Sequence, residues 1–504
     1  MTARLPAVVL GVAAAALSCA GNEPQPGTAA AARRPHIVLV VVDTLRADAL
    51  GFLGSEHGTP RLDRLADESI VFTQAIAPST WTLPSMASLM TSLHPSEHGL
   101  LGGGEGDEQL PQVLDEAYVT LAESLQQGGY RTVGIVNQIY LQWKFGFGQG
   151  FDHYQGLRGH DGIRINRRLD RELARQEAGV PTVAGTAATS GTATASDTAT
   201  TTAGTAADVG PLFLYLHYLD PHWPYNHRVD DPVPPALAAA DEDPGLPRAP
   251  EEAAAWVAEQ DDAELRRRAV ETLAARYTLE VRWIDAVLGG LIDLLESRSL
   301  WDDTILVVTS DHGEGFWEHE RLLHGHTPYE EQIRVPLLVR APPALGFPVG
   351  RRTEPVGLID LMPTLLELAG LPIPEHCRGE SLLEALRGRE DAERALLVDT
   401  GRERALRTRD AKLLVRRGNG RRSDGRPGVD DEGGTPAVEF YDLAADPGES
   451  RNLASPCEGR CRDSARRLRE MERDLTSPGG GPEGAGEVTA EEIEELRSLG
   501  YVGD

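Results

Sequence analysis

The sequence predicts an α/β protein built on a doubly wound sheet. Two continuous runs of β-branched and aliphatic residues, 37–42 and 305–309, lack polar alternation, which is typical of strands buried on both faces of a parallel sheet. Between them, residues 274–296 show helical periodicity. Strands that alternate with helices in this way indicate the doubly wound class.

The predicted strands deliver polar side chains to one edge of this sheet. Residues 37–42 end at Asp43, and residues 305–309 are followed by Ser310, Asp311 and His312. In open α/β sheets, ligands bind at the carboxyl ends of the strands, so these side chains are site candidates before any motif is considered. Two further strand candidates, at 131–136 and 211–216, lie between the two runs.

Two polar intervals interrupt the pattern. Residues 178–209 are almost exclusively Ala, Thr, Gly and Ser, so we expect a disordered insertion with too little apolar surface to offset its ordering entropy. Residues 417–435, rich in Gly, Arg and Asp, predict a long mobile loop in a smaller C-terminal region. That region also contains strand candidates at 395–399 and 412–415 and a helical tail at 491–499.

The net charge of the chain argues against some classes of binding partner. The chain of 504 residues has 49 Lys plus Arg against 78 Asp plus Glu, a net charge of −29. At roughly 100 to 200 residues per domain, this length suits a multidomain globular protein. Strong negative charge argues against a nucleic-acid or anionic-lipid surface, and it suits metal binding better.

The N-terminus predicts export. Arg4 precedes an apolar run, residues 5–17, that is too short to span a bilayer, so residues 1–19 are expected to be a signal peptide. Ser18 followed by Cys19 is similar to a bacterial lipobox, which would leave Cys19 lipidated; ordinary signal cleavage a few residues away is the alternative. Residues 20–34 suit a flexible tether. We therefore expect a periplasmic or cell-envelope lipoprotein, held to the membrane only through that anchor.

The four cysteines offer no CxxC zinc spacing. Cys457 and Cys461 are four residues apart and can pair in an oxidising compartment if the turn suits. No functional thiol is expected, and Cys377 is placed near the join between the two predicted domains.

Three segments have to be weighed together: 41–48, 79–85 and 309–314. Taken alone, each segment is weak evidence for a functional site. An Asp-His pair after a strand is more often a capped turn than a metal site, and a Thr before Leu-Pro is most often a helix cap. In this order they resemble the sulfatase branch of the alkaline phosphatase superfamily. Further matching segments are 59–66, 95–99, 218–225, 329–336, 379–382 and 441–453.

The resemblance implies a fold and an activity. It predicts a large α/β domain with a central, mostly parallel sheet over residues 35–375, and a small α+β domain over residues 376–504. It also implies a hydrolase acting on ester bonds.

The departures from the family pattern concern the nucleophile. Working sulfatases carry Cys or Ser in a Cys/Ser-x-Pro-x-Arg signature, and this residue is matured to formylglycine. Here residues 82–86 are Thr-Leu-Pro-Ser-Met, so oxidation of Thr82 would give a ketone, and Met86 replaces the arginine. Where the sulfatases usually place Gly-Lys-x-His, residues 136–139 are Val-Asn-Gln-Ile.

The resemblance instead implies that Thr82 is a direct nucleophile, as in related phosphodiesterases and phosphoglycerol or phosphoethanolamine transferases. A divalent cation would lower the pKa of its hydroxyl, and the expected ligands are Asp43, Thr82, Asp311 and His312. Because Thr44 and His312 replace an Asp and the Asn of the family's calcium cage, zinc or manganese is favoured, with calcium as the alternative.

Histidines supply the remaining candidates. His222 lies where the family places a histidine that touches the ester or leaving group, so it is expected to be a general acid; a structural histidine in a Pro-flanked turn is the alternative. His324 and His326 each lie one residue from the family's lysine position. His326 is taken as the catalytic candidate, with the choice between the two left open.

For the other polar residues of these segments, structural roles have to be considered. Asp220 either joins a second metal or caps its turn. Glu314, His319 and His98 are expected to be structural.

The leading hypothesis is an exported, metal-dependent hydrolase of phosphate or phosphonate mono- or diesters that acts through Thr82. The alternatives are a sulfate-ester hydrolase, a phosphoryl-type transferase and a non-catalytic binding lipoprotein of the same fold. The joint presence of Asp43, Thr82, Asp311 and His312 speaks against the last of these. The substrate is expected to be a small molecule or a glycan or lipid ester, and not a nucleic acid.

Overall fold

A nine-stranded, mostly parallel sheet forms the centre of the described part of the chain. The computed structural model describes residues 34–101, 112–159, 161–178, 210–226, 237, 244–416 and 438–475. The strands are β1 His36–Val42, β2 Ile70–Ile76, β3 Arg131–Val136, β4 His153–Gly156, β5 Leu212–Tyr218, β6 Thr304–Ser310, β7 Gly315–Phe316, β8 Leu322–Leu323, β9 Arg334–Arg340, β10 Gly350–Arg352, β11 Val356–Gly357, β12 Ala395–Asp399, β13 Glu403–Thr408, β14 Ala411–Arg416 and β15 Val438–Asp442.

The α-helices flank the large sheet, with the last of them in the C-terminal region. They are α1 Pro60–Asp67, α2 Thr82–Thr91, α3 Pro95–His98, α4 Leu121–Gln127, α5 Gly162–Glu177, α6 Pro250–Ala258, α7 Ala263–Ser297, α8 Glu330–Ile333, α9 Leu361–Leu368, α10 Leu383–Leu386 and α11 Arg460–Asp474. None of the helices among the described residues has the length and apolar content needed to cross a membrane.

The strand order in the large sheet is β10-β2-β9-β6-β1-β5-β3-β4, and β11 also pairs with β2. Every pairing is parallel except those of β9 with β2 and with β6. The central strand β1 buries alternate side chains in two separate cores, Ile37, Leu39 and Val41 in one and Val38, Val40 and Val42 in the other. The expectation of a mostly parallel sheet buried on both faces is confirmed.

The C-terminal region forms a second, antiparallel sheet in the order β12-β13-β14-β15. Helix α11 packs on it through Cys461 and Leu468, which share an apolar cluster with Leu413 and Phe440. Cys457 and Cys461 form a disulfide, so the predicted pairing is confirmed. The described residues from Pro35 onward belong to one compact unit that includes both sheets.

The predicted elements are found close to their expected places. The strand predicted at 305–309 lies within β6, and that predicted at 412–415 lies within β14. The helix predicted at 274–296 begins earlier, because the side chain of Asp262 caps α7 by accepting from the N–H groups of Glu264 and Leu265. The signal peptide and tether, the insertion beyond Ala178, the loop at 417–435 and the helical tail lie outside the described residues.

Candidate active site

Strand register brings two carboxylates together. β1 and β6 are parallel neighbours with Val42 opposite Ser310, so the next residues, Asp43 and Asp311, leave the sheet side by side. The backbone N–H of Thr44 donates to Oδ1 of Asp311 (3.2 Å), and that of Leu45 donates to Oγ of Ser310 (2.9 Å). These bonds fix the two strand ends against each other.

Thr82 is the first residue of α2 and is fully buried. Helix α2 is held over the strand ends by Ser85, whose Oγ donates to the carbonyl of Asp311 (2.6 Å). The Thr82 hydroxyl oxygen lies 3.2 Å from Nε2 of His312. Because a helix N-terminus carries partial positive charge, this position suits an oxyanion or an anionic substrate.

The backbone sets the tautomer of His312. Its Nδ1 lies 2.9 Å from the carbonyl oxygen of Gly313, and a carbonyl can only accept, so Nδ1 carries the proton. The lone pair of the neutral ring is therefore on Nε2, which lies 3.4 Å from Oδ2 of Asp311 and 3.8 Å from Oδ1 of Asp43. This is the arrangement of a histidine prepared to bind a metal.

The donor set fits a divalent cation. One ligand atom from each of Asp43, Asp311 and His312 lies within 4.8 Å of the others, and all three side chains are fully buried. Oδ1 of Asp43 and Oδ2 of Asp311 are buried without a hydrogen-bond partner. Burial, and then the charge of Asp311, raise the pKa of Asp43 well above its usual value. A cation would relieve both the orphaned oxygens and the repulsion.

Gln138 is a site residue that sequence reasoning missed. Its Nε2 donates to Oδ2 of Asp43 at 2.7 Å, deep in the protein. In the sequence, residues 136–139 differ from the family pattern by the missing Lys and His, and that difference assigns no role to Gln138. The sequence contains one indication of this role, the position of Gln138 just after the end of β3, which places it at the same sheet edge as Asp43.

Of the two histidines between which the sequence left the choice open, His324 is the one whose ring packs against the rings of the site. The His324 ring lies 4.5 Å from that of His312 and 4.9 Å from that of His222, between centroids. His326 is half-buried, and its backbone N–H donates to the side chain of Gln332. The chain turns at Gly325, whose φ is +82° and whose N–H donates to the carbonyl of Thr80.

His222, the candidate general acid, lies against the same group of rings. Its Nδ1 lies 2.8 Å from the carbonyl oxygen of Trp223, so Nδ1 is the protonated nitrogen of the neutral ring. Trp81 packs on the other side of His324, with 5.4 Å between ring centroids, and Tyr140 lies 6.3 Å beyond Trp81. His222, His312 and His324, called the histidine cluster below, are all within the buried site.

The sequence predicts only a structural role for Glu314, whereas in the structure its carboxylate contacts the histidine cluster. Its Oε1 lies 3.0 Å from Nδ1 of His324, and its Oε2 accepts from the hydroxyl of Tyr225 (2.9 Å). Burial raises the pKa of Glu314 to about 7 and lowers that of His324 well below its usual value. The local signal was an acid two residues after His312 in the same loop.

The remaining candidates lie outside the group of metal-binding donor atoms. Oδ2 of Asp220 accepts from the N–H of Gly162 at the start of α5, as a cap does. His98 bonds Ser88, and His319 bonds Glu331. Met86, in place of the signature arginine, is fully buried among apolar side chains of the core.

A family model described as Sulfatase matches residues 35–371. The multifunctional alkaline phosphatase superfamily protein PehA of Trinickia caryophylli is 26% identical over 407 residues, 70% of this chain and 77% of that protein. The N-acetylgalactosamine-6-O-sulfatase of Bacteroides thetaiotaomicron is 24% identical, over 84% of this chain and 90% of that protein. The fold is similar to the crystal structure of the phosphonate monoester hydrolase of Agrobacterium radiobacter, with a TM-score of 0.58 and 22% sequence identity. The superposition covers 88% of this chain and 95% of the hydrolase chain.

Proposed function

Because this chain belongs to the sulfatase family of ester hydrolases, within the alkaline phosphatase superfamily, we propose that it cleaves phosphate or phosphonate mono- or diesters through Thr82. The observation that carries the proposal is the position of the Thr82 hydroxyl. It lies at a helix N-terminus, 3.2 Å from Nε2 of His312, beside two orphaned carboxylate oxygens.

Thr82 takes the place of the formylglycine precursor of the family. A threonine cannot yield the aldehyde, so its hydroxyl has to act directly. Asp43, Asp311 and His312, with Thr82, would hold the divalent cation. When bound, that cation lowers the pKa of a coordinated hydroxyl and neutralises charge on the oxygens of the transferred group. The mixed oxygen and nitrogen donors favour zinc or manganese over calcium.

The residues of the site account for the bonds made and broken. Ionised Thr82 attacks phosphorus, the ester P–O bond breaks, and the phosphoryl group stays on Thr82 Oγ1. Protonated His222 keeps its Nδ1–H on the Trp223 carbonyl, so its Nε2–H is the proton for the leaving oxygen. Water then attacks phosphorus and gives its proton to His222 Nε2, and the bond to Thr82 Oγ1 breaks. This step releases phosphate from a monoester, a phosphomonoester from a diester or the phosphonate from a phosphonate ester, and it restores ionised Thr82 and protonated His222. An alcohol acceptor in the same step would make the enzyme a transferase.

The choice of phosphorus over sulfur rests on what the site lacks. Phosphoryl oxygens carry more charge than those of a sulfate ester, so a cation and a helix N-terminus stabilise their transfer more. The sulfatase signature arginine is Met86 here, and it is buried in the core. Gln138 follows β3, where sulfatases place Lys and His, and it supports Asp43 instead.

Sulfate-ester hydrolysis is the second candidate, and the observation that favours it is kinship. The relative in Bacteroides thetaiotaomicron is named as a sulfatase of N-acetylgalactosamine, which makes a sulfated glycan the matching substrate class. A non-catalytic binding protein is disfavoured because the nucleophile and three metal-binding candidates all converge.

A substrate panel decides between the candidates. Purified protein, with its metal content measured, is assayed with the nitrophenyl sulfate, phosphate monoester, phosphodiester and phosphonate ester. We expect kcat/KM for the phosphodiester or phosphonate to exceed that for the sulfate. A higher value for the sulfate would refute the proposal and establish the second candidate.

A further inference from the structure

A short segment joins the C-terminal sheet to the loop that carries His312. This segment, Pro328 to Ile333 and called the clamp segment below, includes α8. One side of it is bound by side chains of the C-terminal region, and the other by backbone groups next to Asp311 and His312. The contacts on both sides are specific and mostly buried.

Lys412, the second residue of β14, provides the outer contact. Its side chain is fully buried, and Nζ donates to the carbonyl of Pro328 at 2.7 Å. Nζ also lies 2.6 Å from Oε1 of Glu449 and 3.4 Å from Oε1 of Glu330. The second oxygen of Glu449 accepts from the backbone N–H of Glu330 (2.7 Å). Lys412 and Glu449 together therefore bind two successive points of the clamp segment backbone.

Further side chains of the C-terminal sheet support the same attachment. Arg407 pairs with Glu330 at 3.0 Å, and the hydroxyl of Tyr329 donates to Glu439 at 2.7 Å. Burying charged side chains costs desolvation free energy, so apolar residues of similar volume could stabilise the contact between the C-terminal sheet and the clamp segment equally well. The charged and polar contacts add specificity of position, because the geometry of these ion pairs and hydrogen bonds is satisfied by only one placement of the clamp segment.

The inner side of the clamp segment bonds the metal-binding loop. The N–H of Gly313 donates to the carbonyl of Gln332 (2.8 Å), and that of Glu314 donates to the carbonyl of Glu331 (3.1 Å). The two backbones approach so closely that a Cβ on Gly313 would lie 2.0 Å from the Glu331 carbonyl oxygen. Since the Gly313 carbonyl fixes the tautomer of His312, a shift of this backbone would move the Nε2 lone pair.

We propose that Lys412 is a positioning residue for the active site: it holds the clamp segment against residues 313–314, so that the C-terminal region sets the orientation of His312. The link to metal binding rests on the function proposed above, whereas the mechanical link between Lys412 and Gly313 does not. Lys412 itself contacts neither Thr82 nor the metal-binding carboxylates in the described structure.

The test compares two cations of the C-terminal region that each pair with a carboxylate outside it. Lys412→Met removes the clamp contact. Arg394→Met is the matched control, because Arg394 pairs with the buried Asp360 at 2.6 Å and does not contact the clamp segment. Glu330→Gln is a milder variant that keeps the side-chain shape, for use if Lys412→Met does not fold. For each protein, the melting temperature, Zn²⁺ and Mn²⁺ affinity by chelator competition, kcat and KM are measured.

We expect Lys412→Met to weaken metal binding roughly tenfold or more and to lower kcat with little change in KM, as for residues that orient a metal ligand. Glu330→Gln should show a smaller change of the same kind. Arg394→Met should leave metal affinity near that of the wild type even where its melting temperature falls as far. Equal metal affinity in all three variants and the wild type would overturn the proposal.

Hydrogen exchange of the metal-free protein tests the link independently of any ion. Amide exchange in a peptide spanning 311–316 should be faster in Lys412→Met than in the wild type, and unchanged in Arg394→Met. Unchanged exchange in Lys412→Met refutes the mechanical link. A wild type that binds no divalent ion refutes the function proposed above, while the exchange result still decides whether Lys412 controls the loop.

Discussion

Oγ1 of Thr82 lies 3.2 Å from Nε2 of His312, although 230 residues separate them along the chain. The contact joins the N-terminus of α2 to the carboxyl end of β6, and Ser85 secures it by bonding the Asp311 carbonyl. It fixes the hydroxyl of Thr82 beside the candidate metal-binding residues Asp311 and His312.

Thr82 is expected to act unmodified. Peptide mass spectrometry should show threonine of normal mass at this position, because a threonine cannot form formylglycine. Thr82→Ala should lower kcat at least about 10³-fold, whereas Thr82→Ser, which retains a hydroxyl, should keep part of the activity. Thr91→Ala removes another buried hydroxyl of α2 and should stay active. An oxidised residue 82, or an active Thr82→Ala enzyme, would contradict the assignment.

His312→Ala should lose metal and activity together, because Nε2 of this ring faces both orphaned carboxylate oxygens. Metal content by elemental analysis and turnover are measured on the same preparations. His153→Ala, on the edge strand β4, is the control and should retain both. Stoichiometric calcium without zinc or manganese in metal-replete wild type would show that the expected metal preference is wrong.

Gln138→Leu tests the hydrogen bond that supports Asp43. The variant removes the Nε2 donor from Oδ2 of the buried Asp43 carboxylate, so we expect metal affinity to fall about 10- to 100-fold. Asn137→Ala is a matched control, because Asn137 donates to Gly159 and does not bond Asp43. Similar metal affinities for both variants, measured by chelator competition, would remove Gln138 from the site.

Stability should depend on pH through His98. Burial lowers the pKa of His98 to about 3, below the value of ~6.5 for an unfolded histidine. Between these values the unfolded chain binds one more proton, so this contribution is complete above pH ~6.5 and is lost as pH falls, by up to ~1.4 kcal/mol per pH unit. His98→Asn should flatten the profile of unfolding free energy in urea between pH 6.5 and 4.5, roughly as one proton requires.

Ser88→Ala is the control for that experiment. It removes the hydroxyl bonded to His98 but keeps the buried imidazole, so the slope should persist at lower overall stability. Parallel profiles for His98→Asn and the wild type would refute this origin of the acid sensitivity.

Export and lipid anchoring are a proposal from the N-terminal sequence alone. Cys19→Ala should release the protein into the soluble fraction of the cell envelope, because residues 5–17 are too short to span a bilayer. Fractionation of cells producing each form measures this. Retention of the variant in the membrane fraction would show that the lipobox interpretation is wrong.

The sequence by itself determined the strands and the residues at their ends. Runs such as 37–42 and 305–309 identify buried strands locally, since a strand covered on both faces must be apolar throughout. The order of the three motif segments then indicated the family, and with it Asp43, Thr82, Asp311 and His312, which the structure brings together.

Only the tertiary structure decided the supporting contacts. Gln138 reaches Asp43, Glu314 reaches His324, and Lys412 reaches the clamp segment through side-chain directions that depend on distant backbone. The packing of the His324 ring against His312 and His222 likewise joins distant segments, which no periodicity reveals. Local patterns fix what each segment becomes, because they reflect burial and backbone propensity. Which buried polar atoms meet is fixed by packing across the whole fold.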